Sequence, residues 1–216
     1  MDSITPPSPP LQELMLAFES IGENCELGLA QRLVGVEPLG LLRFASSPPD
    51  VIMKLLSDRC EGLGDPDSIQ LVLERDGEYF VKDHRYGLWY HTHQFFGQID
   101  PITLHERECA KMAYLARNFL EKLDEGEKIL VRHMNMDAEQ IGRLYDLLQG
   151  YGPSPVLWVV VADSKHPSGT IEQLDRRLFK GYIKRFAPPS NVPDLDLDAW
   201  IEVLRPAREM IKLACC

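Results

Sequence analysis

Residues 155–163, PVLWVVVAD, form a nearly continuous apolar run that ends at an aspartate. Such a run is typical of a β-strand that is buried on both faces of a sheet. A shorter strand-like run, KILVRHM at 128–134, precedes it. Between the two lies DAEQIGRLYDLLQGYG at 137–152, an amphipathic helical pattern with glycines near its end. Strand, helix and strand in succession predict an α/β or α+β fold with a mixed central sheet flanked by helices.

The remaining segments extend this pattern in both directions. Residues 68–84, SIQLVLERDGEYFVKDH, contain two β-type runs separated by Asp-Gly, which is a strong hairpin signal. The aromatic-rich segment GLWYHTHQFF at 87–96 predicts a third strand. Apolar periodicity further predicts helices at 11–22, 25–35, 103–123 and 196–214, a short helix at 168–179 and a final strand at 181–188.

The domain organisation follows from the position of the prolines and the absence of an internal linker. Residues 1–10 contain four prolines and predict a disordered or extended leader. No repeat or linker divides the rest of the chain, so residues 11–216 are expected to form a single domain. At 216 residues the chain is long enough for a substantial hydrophobic core.

Charge and hydropathy exclude several classes of partner. A formal net charge of −10 disfavours nucleic acid and anionic membranes, both of which attract clustered Lys and Arg. No apolar run approaches the roughly 20 residues that a membrane-spanning helix needs. The N-terminus, MDSITPPSPP, lacks the basic and apolar parts of a secretory signal. We therefore expect a cytoplasmic protein that has no membrane span and binds no nucleic acid.

Cysteine usage gives no sign of a disulfide framework. The five cysteines are an odd number, and no pair has Cys-x-x-Cys spacing. Neither a small disulfide scaffold nor a zinc ribbon fits this pattern. We expect no cofactor.

Cys25 lies where the helix predicted at 25–35 begins. Asn24 is a good N-cap residue, so Cys25 is expected at the first helical position. The helix dipole and free N–H groups at that position favour a thiolate, and the same N–H groups, with Asn24, could stabilise an oxyanion. The alternative is that Cys25 is a packing residue, since free cysteine is among the most buried residue types.

A nucleophilic cysteine needs a base and a third group that orients the base. His91 and His93 lie two residues apart on the predicted strand, so both point to the same face. His133 and Asp163 follow predicted strands, and strand ends are where α/β proteins gather functional groups. Two histidines on one strand face are also half of a zinc site, for which His133 and Asp163 could supply further ligands.

The stretch FESIGENCELGLAQR at 18–32, the His-bearing aromatic strand and KILVRHMN at 128–135 together resemble a bacterial family of unknown function described as papain-like cysteine peptidases. Its members carry a Ser-x-Gly-x-x-Cys stretch, matched here by Ser20, Gly22 and Cys25. The resemblance covers about residues 11–213. It implies a papain-like fold and a thiol-protease type of chemistry, with Cys25 as the nucleophile and His91 or His93 as the base.

Two functions from different classes follow. The first is a cysteine-dependent hydrolase or acyl transferase in which Cys25 attacks, His91 or His93 moves the proton and Asp163 is the third residue. Its substrate is an acyl, peptide or glycan-linked compound that the sequence does not specify. The alternative is a non-catalytic recognition domain associated with surface-polysaccharide or glycan assembly, in which Trp89, Tyr90, Phe95 and Phe96 line a binding surface.

Overall fold

The apolar run at 155–163 forms the central strand of a five-stranded sheet, as the sequence predicts. The computed structural model describes residues 9–133, 136–188 and 190–215. The helices are α1 (Pro9–Leu16), α2 (Glu26–Leu33), α3 (Pro49–Ser57), α4 (Pro101–Glu125), α5 (Ala138–Gln149) and α6 (Leu197–Cys215). The strands are β1 (Phe18–Ser20), β2 (Ala45–Ser46), β3 (Ile69–Leu73), β4 (Glu78–Asp83), β5 (Trp89–Phe95), β6 (Ile129–His133), β7 (Val156–Val161), β8 (Ile171–Asp175) and β9 (Leu178–Ile183).

The five-stranded sheet has the order β1-β6-β7-β9-β8. β1, β6, β7 and β9 pair in parallel, and β8 adds an antiparallel edge. Alternate residues of β7 enter two different cores, because successive side chains on a strand point to opposite faces. Leu157 and Val159 pack with α1, α2 and α6, whereas Val156 and Trp158 pack with α3, α4 and α5. The prediction of a mixed central sheet flanked by helices is confirmed.

A second sheet is antiparallel and has the order β2-β5-β4-β3. The predicted hairpin is present, with Gly77 at a φ of +87° in the turn between β3 and β4. The core that contains Val156 and Trp158 also includes residues of this sheet, among them Val81 and Tyr90. The two sheets and their helices therefore form one compact domain of mixed α/β class. No helix within the described ranges is long and apolar enough to cross a bilayer.

Two predicted helices are wrong, and the final strand predicted at 181–188 is β9, Leu178–Ile183. Residues 168–179 do not form a helix but contain most of a hairpin, because β8 pairs with β9 along the edge of the sheet. The helix predicted over 11–22 ends at Leu16, since Phe18–Ser20 pairs in parallel with β6 as β1. In both places, pairing with a strand that extends beyond the segment overrides a local helical pattern.

The predicted leader at 1–10 lies outside the described residues up to position 8. The last two of its residues, Pro9 and Pro10, begin α1 and are therefore not disordered. Proline is well tolerated in the first turn of a helix, where its missing N–H leaves no hydrogen bond unmade.

Arg132 in β6 connects the segment before Cys25 to the second sheet. Its fully buried guanidinium donates from Nη1 to the Ile21 and Ser47 carbonyl oxygens, at 3.1 and 2.9 Å, and pairs through Nη2 with Glu23 at 2.5 Å. Gly22 sits within this connection at a φ of +79°. A Cβ built on Gly22 would lie 1.8 Å from Ser47 Oγ and 3.1 Å from Ser47 Cβ, so any side chain there displaces Ser47 in addition to adopting an unfavourable φ.

We predict that Gly22→Ala destabilises the protein by about 3 kcal/mol or more, because it adds a steric clash to an unfavourable backbone conformation. Gly77→Ala is the matched control, since Gly77 has a similar φ but open space around a Cβ. Gly77→Ala should lower the free energy of unfolding by about 1 kcal/mol, the cost of the unfavourable backbone conformation alone. Urea unfolding of both variants measures the difference, and equal losses would contradict the close approach at Ser47.

Candidate active site

An open cleft of about 390 Å³ lies between the start of α2 and β5. The residues that line it are Cys25, Leu29, Arg32, Phe44, His91, His93 and the segment 190–193. The fold therefore brings Cys25 to the same cleft as both histidines predicted as its base. The four described cysteines, Cys25 among them, are free thiols.

Cys25 occupies the N-cap of α2, one residue earlier relative to the helix than the sequence predicts. Its carbonyl accepts the Leu29 N–H at 2.9 Å. The Asn24 side chain accepts the Glu26 N–H at 2.8 Å, so it still satisfies one of the free donors of the first turn. Cys25 is only partly exposed, with its neighbour Leu27 fully buried.

The electrostatic environment keeps Cys25 protonated. Burial raises the pKa of its thiol, and the neighbouring Glu26 carboxylate adds to this effect. The backbone N–H of Cys25 itself and the Arg32 guanidinium act in the opposite direction but do not outweigh burial. The direction is opposite to the thiolate expected from the helix dipole alone. Any attack by Cys25 therefore requires a base that removes its proton.

His91 is held by the carboxylate of Glu78, a residue outside those predicted from the sequence. Its Nδ1 lies 3.0 Å from Oε2 of Glu78, whose side chain is only 8% exposed. The Glu78 Oε1 accepts the backbone N–H of His93 at 2.9 Å, which fixes the carboxylate between the two histidines. The imidazole of His91 also packs on the Phe80 ring, with centroids 4.0 Å apart. This arrangement orients His91 and leaves its Nε2 available.

Asp163, the predicted third residue, is not among the described residues that line the cleft. Its carboxylate accepts the backbone N–H groups of Lys165 and His166 and lies 3.0 Å from Nδ1 of His166. The side-chain hydrogen bond from His166 and these backbone donors lower the pKa of Asp163. Asp163 therefore organises its own loop. The carboxylate that lies beside His91 is that of Glu78.

The buried His133 and the half-buried Asn24 form a pair beneath the start of α2. The Nε2–H of His133 donates to Asn24 Oδ1 at 2.7 Å, and burial lowers the pKa of His133 to about 3. A neutral, fully buried imidazole of this kind supports the loop before Cys25. The Oδ1 of Asn24 is thus engaged by His133 and the Glu26 N–H, and the predicted oxyanion role of Asn24 remains a prediction.

A sequence signal could have identified Glu78. It directly follows the Asp-Gly turn and begins β4, and a short turn joins β4 to β5. Antiparallel pairing of β4 with β5 places Glu78 opposite Phe95, close to His93. The β4–β5 register shifts between Tyr79 and Phe80, so no alternation rule would have given the exact pairing with His91.

The aromatic residues of the alternative function are divided between core and surface. Tyr90 is buried, and its hydroxyl donates to Glu108 at 3.0 Å. Phe95 and Phe96 are exposed. Tyr90 therefore packs largely in the core, although it also lines a smaller cavity together with His91 and His93.

Comparison with protein-family models, with curated proteins and with solved structures finds no match to this chain, so the papain-like resemblance stays a prediction.

Glu26, the residue after Cys25, carries a fully buried carboxyl group. Its Oε1 accepts the Ala187 N–H at 3.1 Å and the Trp200 Nε1–H at 3.0 Å. Its Oε2 is buried and has no hydrogen-bond partner within the described part of the chain. Burial raises the pKa of Glu26, and the donors from Trp200 and Ala187 only partly offset this. Folding therefore favours the protonated carboxyl.

We predict that Glu26→Gln gains stability relative to the wild type as the pH rises from 4 to 8. A carboxyl whose pKa is raised by folding stabilises fully below its ordinary pKa, and that contribution is lost as the pH rises through the raised value. The amide variant has no charge to lose and keeps an acceptor oxygen for Trp200. Urea unfolding across this pH range gives the difference, with Glu121→Gln as the exposed control. A difference that is constant with pH would contradict the raised pKa.

Proposed function

We propose that this protein is a cysteine-dependent hydrolase or acyl transferase. The observation that carries the proposal is the shared cleft, which Cys25 lines together with the two histidines, while the buried Glu78 holds Nδ1 of His91. A carboxylate at Nδ1 fixes the tautomer in which Nε2 is the base, as in nucleophile–histidine–acid triads. His91 is the better candidate base, because the His93 Nδ1 lies 3.5 Å from Glu78.

The proposed reaction begins with a thiol. His91 Nε2 removes the Cys25 proton as Sγ attacks the carbonyl carbon of the substrate, and the carbonyl electrons move to oxygen. The backbone N–H of Cys25 is close to the Cys25 sulfur, where the oxyanion would form. In the proposed reaction, this N–H stabilises the oxyanion. Collapse expels the leaving group, which takes the proton from His91, and leaves a thioester on Cys25. Water or another nucleophile then attacks that thioester with His91 again as the base, and Cys25 is released as the thiol.

The raised pKa of Cys25 makes His91 essential to this scheme. In a preformed thiolate–imidazolium pair, the sulfur would be reactive without substrate. Here the thiol is protonated at rest, so proton transfer to His91 accompanies attack. Free cysteines throughout the described chain suit the reducing cytoplasm, the compartment that we propose.

We predict that Cys25→Ala abolishes turnover of an activated acyl ester such as p-nitrophenyl acetate. His91→Asn is expected to lower kcat by about 10²- to 10⁴-fold, the usual contribution of a general base. His84→Asn serves as the matched control, because His84 is an exposed histidine that binds Gln70 away from the cleft. Release of p-nitrophenol, and mass spectrometry of an acetyl group on Cys25, measure the reaction.

Equal turnover in wild type and Cys25→Ala, or acetylation of Cys60 at the rate of Cys25, would overturn the proposal. Cys60 is a useful internal reference, since burial raises its pKa to about 12 and should make it the slower thiol. In that outcome Cys25 is a packing residue, and the non-catalytic recognition domain becomes the leading function.

A further inference from the structure

We infer that Glu78, His91 and His93 form a binding site for one divalent transition-metal ion of the Zn²⁺ class. Each residue offers one ligand atom, and the three atoms lie within 4.8 Å of one another. Neither His133 nor Asp163, the further ligands considered from the sequence, belongs to this group. The site therefore differs from the one that the histidine spacing alone suggested.

Two of the three separations between ligand atoms are close to those around a tetrahedral ion. Zn²⁺ binds imidazole nitrogen and carboxylate oxygen at about 2.0–2.2 Å, so neighbouring ligand atoms lie roughly 3.3–3.5 Å apart. The Nδ1 atoms of His91 and His93 lie 3.0 and 3.5 Å from the two oxygens of Glu78. Both imidazoles thus direct the same nitrogen at one carboxylate. Small side-chain adjustments would accommodate an ion between them.

The charge balance also favours a cation. The Glu78 carboxylate is buried, and among the described residues its only ion-pair partners are the two histidines, with no Lys or Arg beside it. A buried carboxylate needs a positive partner or several hydrogen bonds to offset its desolvation. Two imidazole nitrogens and one carboxylate form a ligand set typical of catalytic zinc, with the remaining coordination positions open. His91 and His93 are 49% and 63% exposed, so an ion could enter from solvent.

Backbone geometry helps bring the ligands together. His93 has a φ of +55°, in the left-handed region, and lies where the pairing of β5 with β4 is irregular. Thr92 and His93 form the extra length of β5 between the paired residues His91 and Gln94. Such bulges re-aim side chains and occur beside functional sites. At this bulge, the two imidazoles are nearly parallel, with ring centroids 5.7 Å apart.

Metal binding would block the proposed chemistry, and this consequence rests on the proposed function. An ion at Nδ1 of His91 leaves the proton of the neutral imidazole on Nε2. That nitrogen is then a donor and cannot accept the proton of Cys25. The ion also displaces the carboxylate from the base. We therefore expect Zn²⁺ to inhibit acyl transfer by Cys25.

The test is titration of the chelator-treated, full-length protein with Zn²⁺ by calorimetry and with Co²⁺ by visible absorption. The wild type should bind one ion. Glu78→Gln and His93→Asn should each weaken binding by at least about 100-fold, beyond the 10- to 100-fold typical of outer-shell changes. Asparagine is chosen at position 93 because it tolerates a positive φ. His84→Asn and Cys25→Ala should bind the ion with wild-type affinity. The Co²⁺ spectrum of the wild type should lack the sulfur-to-cobalt charge-transfer band of a thiolate ligand, because no cysteine is among the ligands.

Two results would overturn the inference: no binding by the wild type, or wild-type affinity in His93→Asn with a folded circular-dichroism spectrum. The latter decides the matter even if Glu78→Gln fails to fold. Addition of Zn²⁺ to the p-nitrophenyl acetate assay separates the two proposals. Binding without any Cys25-dependent turnover removes the proposed function and keeps the metal site, whereas turnover without binding removes the metal site and keeps the proposed function.

Discussion

The buried guanidinium of Arg132 is the interaction on which the rest of the structure depends. A charge with no exposure must be paired and hydrogen-bonded, because its desolvation is otherwise too unfavourable. The carbonyl oxygens of Ile21 and Ser47 and the carboxylate of Glu23 meet most of this need, while Nε of Arg132 has no hydrogen-bond partner within the described ranges. One acceptor follows β1 of the five-stranded sheet and another follows β2 of the antiparallel sheet. Arg132 thereby specifies how the two sheets meet, and it fixes the approach of the chain to Cys25.

The site has a buried polar support and an exposed working face, and the two use different residues. Below the start of α2, His133 and Glu26 are buried and engage Asn24, Ala187 and Trp200. These groups hold the loop and the first helical turn in one conformation. They also set the state of Cys25, since burial and the adjacent Glu26 raise its pKa. The support therefore favours the protonated thiol of Cys25.

Glu78 gives the working face two possible chemistries. In the proposed function, its carboxylate at Nδ1 orients His91 as a base for Cys25; in the inferred metal site, it would share an ion with His91 and His93. The two uses exclude each other, because one imidazole nitrogen cannot hold both a proton for Glu78 and a metal ion. Free metal concentration would then decide which chemistry the cleft performs. The left-handed backbone of His93 is the structural feature that keeps both uses open.

The sequence by itself determined the elements whose signals are local. The apolar run at 155–163 identifies the central strand, the Asp-Gly turn identifies a hairpin, and Asn24 with Cys25 marks a helix start to within one residue. Only the tertiary structure decided that 168–179 pairs along a sheet edge and that Glu78, not an aspartate at a strand end, lies at Nδ1 of His91. Local patterns encode which side chains face inward. Strand register and the meeting of two sheets depend instead on contacts between distant segments, and no single segment contains that information.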